Sequence, residues 1–243
     1  EELWRQLDLE CSDDCNYIVI PHNSNLSNGF MFEKPNQNEI LLQNIREPLV
    51  EIFQHKGSSE CALDSQDPLC SFEQLPYKDF RSKFRNNLSP APRSSFVRDA
   101  LNTGLMIQSR QNINPFKLGF ISSTDTHYGT PGAVDESAFQ GGGGAGKSFR
   151  TSIPDGLPDD IEFNPGGLAV VWAEENSRTA IFNALKRKEV YGTSGPRFLV
   201  RFFLGDNLDS DLCNQQNAVA SSYKNGAPMG ATMNSNNISK ARL

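Results

Sequence analysis

A chain of 243 residues, 37% of them hydrophobic, has room for one large α/β domain or two small ones and sits at the low end for a compact core, so much of it is expected to be loop. Its formal net charge of -6, with no basic run longer than Lys186 to Lys188, excludes a nucleic-acid surface as its main business. No apolar run approaches the roughly 18 residues of a membrane-spanning helix, which excludes that class as well.

In chain order, Glu1 to Leu9 has the pattern of an amphipathic helix and lacks the basic, apolar and small-residue regions of a signal peptide. With no initiator methionine, the sequence is expected to be a fragment or processed product. Tyr17 to His22 is a short run of β-branched and aromatic residues closing on a histidine and the polar loop Asn23 to Gly29, which predicts a strand. Leu49 to Gln54 predicts a second strand, followed directly by His55, Lys56 and Glu60. Ser94 to Thr103 predicts a helix with a serine cap, an apolar face of Phe96, Val97, Ala100 and Leu101, and Gly104 as its stop. Lys117 to Ser123 predicts a buried strand running into Asp125 and His127.

From His127 to about Pro165 the composition is that of a long loop. Within it Gly141 to Ser148 matches G-x-x-x-x-G-K-S/T, but a phosphate-binding loop must follow a buried strand and open a helix. Neither neighbour is present here, so a flexible glycine loop is the better description and an ATP-binding reading ranks last. Gly166 to Trp172 predicts a strand, and Arg178 to Lys188 a surface helix capped by Ser177. Phe198 to Phe203 predicts a final strand after Arg197, and this alternation is that of a parallel α/β sheet or barrel. The expected division is a partial barrel over 1–205 and a mostly irregular polar tail or edge element over 206–243.

Five cysteines fall as Cys11 with Cys15, Cys61 with Cys70, and Cys213 alone. Without the usual zinc-knuckle spacing, local pairs in loops favour short disulfides and a periplasmic or secreted location over reduced thiols.

All three histidines of the chain stand at predicted strand ends, where parallel α/β sheets place their ligands. Residues two apart in an extended segment share a side, so Asp125 and His127 are expected to converge on one cation. His22 is the third candidate ligand. A lone histidine or an isolated Asp-x-His is usually an ordinary surface or core feature; the conjunction is what points to a metal. Zinc, manganese and iron all accept imidazole with carboxylate.

The segments IPHNSNLSNG, REPLVEIFQHKGSSEC, NPFKLGFISSTDTHYGTPG, GGLAVVWAEENSRTAIFNALKRKEVYGTSGPR and NGAPMGATM together resemble the family called domain of unknown function 3604. That family is related to the polymerase and histidinol phosphatase (PHP) superfamily of metal-dependent phosphoesterases. The resemblance implies the C-terminal portion of a distorted seven-stranded, TIM-like α/β barrel with long loops. It also implies that His22, Asp125 and His127 are metal ligands, while Glu51, His55 and Lys56 fall in a family segment of less defined role. The His-x-His motif that opens such proteins, and a further acidic ligand, are not in this sequence, so the chain by itself is expected to be inactive.

The reading is therefore a metal-dependent hydrolase, most directly of phosphoesters, acting on a small anionic substrate. Glu51 and His55 are the candidate catalytic residues, Glu51 or Glu60 orienting a ligand or serving as base. Lys56 and Arg197 are candidates for holding the substrate, against the alternative that each is a solvated or carboxylate-paired base. The competing class is a non-catalytic metal- or ligand-binding protein on the same fold.

Overall fold

A computed structural model describes residues 2–11, 15–33, 35–36, 39–74, 91–139 and 164–233. Its helices are α1 (Glu2–Glu10), α2 (Glu39–Arg46), α3 (Val97–Gln111), α4 (Arg178–Lys186) and α5 (Ala218–Asn225). Its strands are β1 (Leu49–Gln54), β2 (Gly57–Ser58), β3 (Gly119–Ser122), β4 (Leu168–Val171), β5 (Val190–Thr193), β6 (Phe203–Leu204) and β7 (Ala227–Pro228). The expected mixed α/β class is what the chain adopts. Its sheets are small, ordered β2-β1-β3, β4-β5 and β6-β7, and no closed barrel forms among the described residues.

The core explains why β1 and β3 are the central pair. Leu49 and Val50 are fully buried, and Val50 packs with Phe32, Val97, Ala100 and Phe116. Each such side chain contributes roughly 1.5–3 kcal/mol on burial. Phe116 meets Phe32 edge to face, with ring centroids 5.8 Å apart. Because α3 is the crossover between them, β1 and β3 run parallel, pairing Leu49 with Gly119 and Glu51 with Ile121. Both strands therefore end on the same side.

Four expectations change. Tyr17 to His22 forms no strand: Val19 N–H donates to Arg46 O and Glu51 N–H to Pro21 O, but Pro21 has no N–H with which to continue a ladder. The helix expected at 94–103 begins at Val97, with Phe96 as its cap residue, and continues through Gly104 to Gln111, ending at Asn112 with φ 57°. Val190 to Thr193, where no strand was expected, forms β5, which pairs antiparallel with β4 although α4 separates them in sequence, and packs beside β3. Of the strand expected at 198–203 only Phe203–Leu204 is one; Phe198 to Val200 is held instead by side chains, with Tyr191 Oη donating to Phe198 O at 2.8 Å and Trp172 Nε1 to Val200 O at 2.9 Å.

The other local readings hold. α1 and α4 form where expected, and Ser177 Oγ accepts from Ala180 N–H at 3.2 Å. Within 206–233, part of the stretch expected as a mostly irregular polar tail or edge element, α5 leads into β7, which pairs with β6. Disulfides join Cys11 to Cys15 and Cys61 to Cys70, while Cys213 is free and exposed. These bonds fit an extracellular or secreted protein. Among the described residues no helix is long and apolar enough to cross a membrane. The glycine-rich stretch 141–148 lies outside the described residues.

Candidate functional site

The chain leaves β1 at Gln54 and β3 at Ser122, and backbone bonds lace the two exits together. His55 N–H donates to Thr124 O and Ser123 N–H to Phe53 O, at 3.3 and 3.0 Å. A third segment joins them, with Asn164 N–H donating to His55 O at 3.3 Å and Gly167 N–H to Ser123 O at 2.7 Å. Gly166, at φ 86°, is required there, because a Cβ would lie 2.6 Å from the Thr124 backbone.

Asp125 is the hub. Lys56 Nζ donates to its Oδ2 at 3.0 Å and Gln54 Nε2 at 2.6 Å, while His127 Nε2 lies 3.0 Å from Oδ1 and His55 Nε2 3.9 Å from Oδ2. The Lys56 side chain is 6% exposed and that of Asp125 14%, so their ion pair is largely screened from water. Burial pushes the Asp125 carboxyl up, but the Lys56 ammonium and the neighbouring imidazoles more than offset this and leave it below its ordinary range. The expected proximity of Asp125 and His127 is present, but not by strand geometry. β3 ends at Ser122, and Asp125 and His127 take φ values of 48° and 59°, a left-handed conformation that costs energy for such residues.

Glu51 and His55 are buried beside this hub. Ser123 Oγ donates to Glu51 Oε2, while Oε1 has no hydrogen-bond partner among the described residues. Burial pushes the Glu51 carboxyl up, Ser123 partly offsets this, and the charge of Asp125 adds to the rise. His22 is exposed but within electrostatic reach of Glu51. His55 is fully buried; burial, with the positive charge of Lys56, lowers its pKa to about 3, so the ring is neutral.

The structure thus gathers Glu51, His55, Lys56, Asp125 and His127, with His22 at the margin. Two candidates lie elsewhere. Arg197 is exposed and donates to Gly132 O at 2.9 Å, bracing the loop after His127. Glu60 accepts from Arg98 Nε at 2.9 Å at the start of α3. Lys56 takes the carboxylate-paired form of its two readings.

Gln54, 2% exposed, is the residue that sequence reasoning missed. Its Nε2 donates to both Asp125 and Asn23 Oδ1, and its Oε1 accepts from Lys56 N–H at 2.9 Å. It fastens the loop after His22 to Asp125. The only sequence signal was its place as the last residue of a predicted strand.

For a divalent cation the donor types fit: carboxylates at Asp125 and Glu51 and imidazoles at His22 and His127, with Glu51 Oε1 buried and unsatisfied. Asp125 and His127 stand as a close pair, and among the described residues no three such groups come close enough to share one ion. Along its whole length, residues 1–243, the chain matches the family model described as protein of unknown function (DUF3604). No curated protein and no solved structure matches it.

Proposed function

From a chain that belongs to the DUF3604 family, and from the polar hub at the shared ends of β1 and β3, we propose a metal-dependent hydrolase, most directly a phosphoesterase. The observation that carries this reading is Asp125, which faces His127 at 3.0 Å and Lys56 at 3.0 Å where two parallel strands end. Asp125 and His127, 3.0 Å apart, would supply two ligands to zinc, manganese or iron, and His22 is the proposed third although it does not stand with that pair. Bound there, such an ion supplies Lewis acidity and an activated water.

The chain's own residues supply the rest. Lys56 brings positive charge to the hub, suited to an anionic substrate oxygen. Glu51, whose carboxyl burial holds above its ordinary range and whose Oε1 has no hydrogen-bond partner among the described residues, is suited to exchange a proton with a bound substrate or water. His55 stays neutral and buried, a positioning group beside Asp125 rather than an acid. Arg197 reaches the substrate only through the loop it braces at Gly132. In this proposal β1 and β3 belong to a distorted seven-stranded barrel of PHP type, and the two disulfides support a periplasmic or otherwise secreted location.

A second reading, a metal- or ligand-binding protein without turnover, is favoured by the Lys56–Asp125 pair, which already neutralises the central carboxylate. One experiment separates the two: elemental analysis of the full-length protein purified without chelator, wild type against an Asp125→Ala, His127→Ala double variant, followed by a phosphoester screen. Bound metal that the variant loses, with turnover, is the expected result. Bound metal without turnover gives the second reading, and metal retained by the variant overturns the ligand assignment.

A further inference from the structure

Among the described residues no hydrogen bond runs directly between the loop at 22–29 and the segment 123–127, yet both touch one side chain. Gln54, the last residue of β1, is fixed where that strand turns into β2, opposite Gly57. On either side of His22 and Asn23 the loop has other ties, Glu51 N–H donating to Pro21 O at 2.9 Å and Asn25 N–H to Ser59 Oγ at 3.4 Å. Between those ties the loop reaches Asp125 through the Gln54 amide, which meets the Asn23 side chain.

The place demands a glutamine. An amide offers two N–H groups and a carbonyl oxygen on one planar head. Nε2 donates to Asn23 Oδ1 and, at 2.6 Å, to Asp125 Oδ2, while Oε1 accepts from Lys56 N–H at 2.9 Å. A glutamate there would set acceptors against acceptors, and an apolar side chain would offer none of these bonds. Asn23 and Asp125 both lie in the left-handed region, at φ 57° and 48°. Such backbone persists where its surroundings over-determine it, and the same amide braces both residues.

The amide also divides the Asp125 carboxylate. Oδ2 is taken by Gln54 at 2.6 Å and Lys56 at 3.0 Å, whereas Oδ1 faces His127 at 3.0 Å. We propose that Gln54 is a positioning residue of the metal site, turning Asp125 Oδ1 toward His127 and fixing where the His22 loop stands relative to that pair. The role rests on the reading of His22, Asp125 and His127 as metal ligands, and it assigns the coupling of their two loops to one neutral side chain. Partners that orient a ligand from behind typically change metal affinity by about 10–100-fold when removed.

The test is the zinc affinity of the full-length protein stripped of metal, titrated with zinc chloride against a chromophoric chelator. Gln54→Met keeps the length of the side chain and removes the amide; Asn23→Gly, at a half-buried loop position, keeps the left-handed backbone and removes its partner. Zinc bound by the wild type and lost by the Asp125→Ala, His127→Ala variant is expected, with Gln54→Met weakened about tenfold or more. Asn23→Gly should weaken binding measurably, and the combination with Gln54→Met no further than Gln54→Met alone, because Asn23 acts through Gln54. A merely structural role would instead lower the urea midpoint of Gln54→Met and leave the zinc affinity of the folded protein unmoved. Zinc bound equally by the wild type and the Asp125→Ala, His127→Ala variant, or by neither, overturns the metal site and this role with it. Zinc lost by that variant but held at wild-type affinity by Gln54→Met, or losses from Gln54→Met and Asn23→Gly that simply add, overturns the role of Gln54 alone. Should Gln54→Met not fold, unchanged affinity in Asn23→Gly overturns the tie to the His22 loop.

Discussion

Asp125 keeps its charge in a half-buried place because Lys56 stands against it, and each is costly alone. Lys56→Met should therefore destabilise the metal-free protein by about 3 kcal/mol, the scale of a buried pair broken on one side. A urea midpoint shift corresponding to much less would show that water, not Lys56, carries the compensation. His55 gives a pH signature. Its pKa is about 3 when folded against 6.5 for the unperturbed ring, so between these values the unfolded chain binds a proton that the folded one refuses. Its share of stability is full above the higher value and is lost as pH falls toward the lower, about 2 kcal/mol by about pH 5. Glu51 acts in the opposite sense above 4.5, because its folded carboxyl holds a proton that the unfolded one releases, so its share is lost as pH rises. Urea melts at about pH 7 and 5 should show net acid destabilisation that His55→Gln reduces; the same slope in the variant would mean that His55 is not the group responsible. At this scale the charged members of the hub were legible, since Asp125, His127, His55 and Lys56 stand where predicted strands end. Gln54, Asn23 and Ser123 were not, because a neutral residue shows its role only when a partner distant in sequence arrives.

The elements were legible where their signals are local. Ser177 caps α4 as its position announces, and Ser177→Ala should cost about 1 kcal/mol in thermal or denaturant unfolding. Gly104 misleads for the same reason: a glycine after an apolar helical stretch reads as a stop, yet here it lies inside α3. A Cβ on it would sit 2.2 Å from Asn114 Oδ1 and 3.1 Å from Phe116 Cβ, so the absent side chain makes room for the turn that feeds β3. Helix propensity favours Gly104→Ala by about 1 kcal/mol, but the clash should win and the variant should melt lower than wild type. A higher melting temperature would show that Asn114 moves aside at little cost. β4 was recognisable as a strand from its apolar run, while β5 was not expected as a strand and its antiparallel pairing with β4 was not legible, since alternation of strand and helix does not fix direction.

Across the whole molecule the core is built around β1 and β3, and short covalent loops pin the periphery. Cys61 and Cys70 are nine residues apart, and closing a loop of that length stabilises by about 2.5 kcal/mol on the chain-entropy account. Cys61→Ser with Cys70→Ser should lower the unfolding midpoint accordingly, and a reductant should do the same to the wild type and nothing further to the variant at that bond. An unchanged midpoint would show that the segment contributes nothing to the cooperative unit. By itself the sequence determined the mixed α/β class, the local disulfide pairs, the positions of α1, α4 and β1, and the candidacy of His22, Asp125 and His127. Those depend on periodicity, caps and short spacings, which act within a few residues. Only the tertiary structure decided that β4 pairs antiparallel with β5, that Glu60 belongs to Arg98, that Arg197 braces a loop, and that Gln54 joins two loops at Asp125. Each of these is a contact between groups distant along the chain, fixed by the packing that buries Val50 against Phe116 and not by any local pattern.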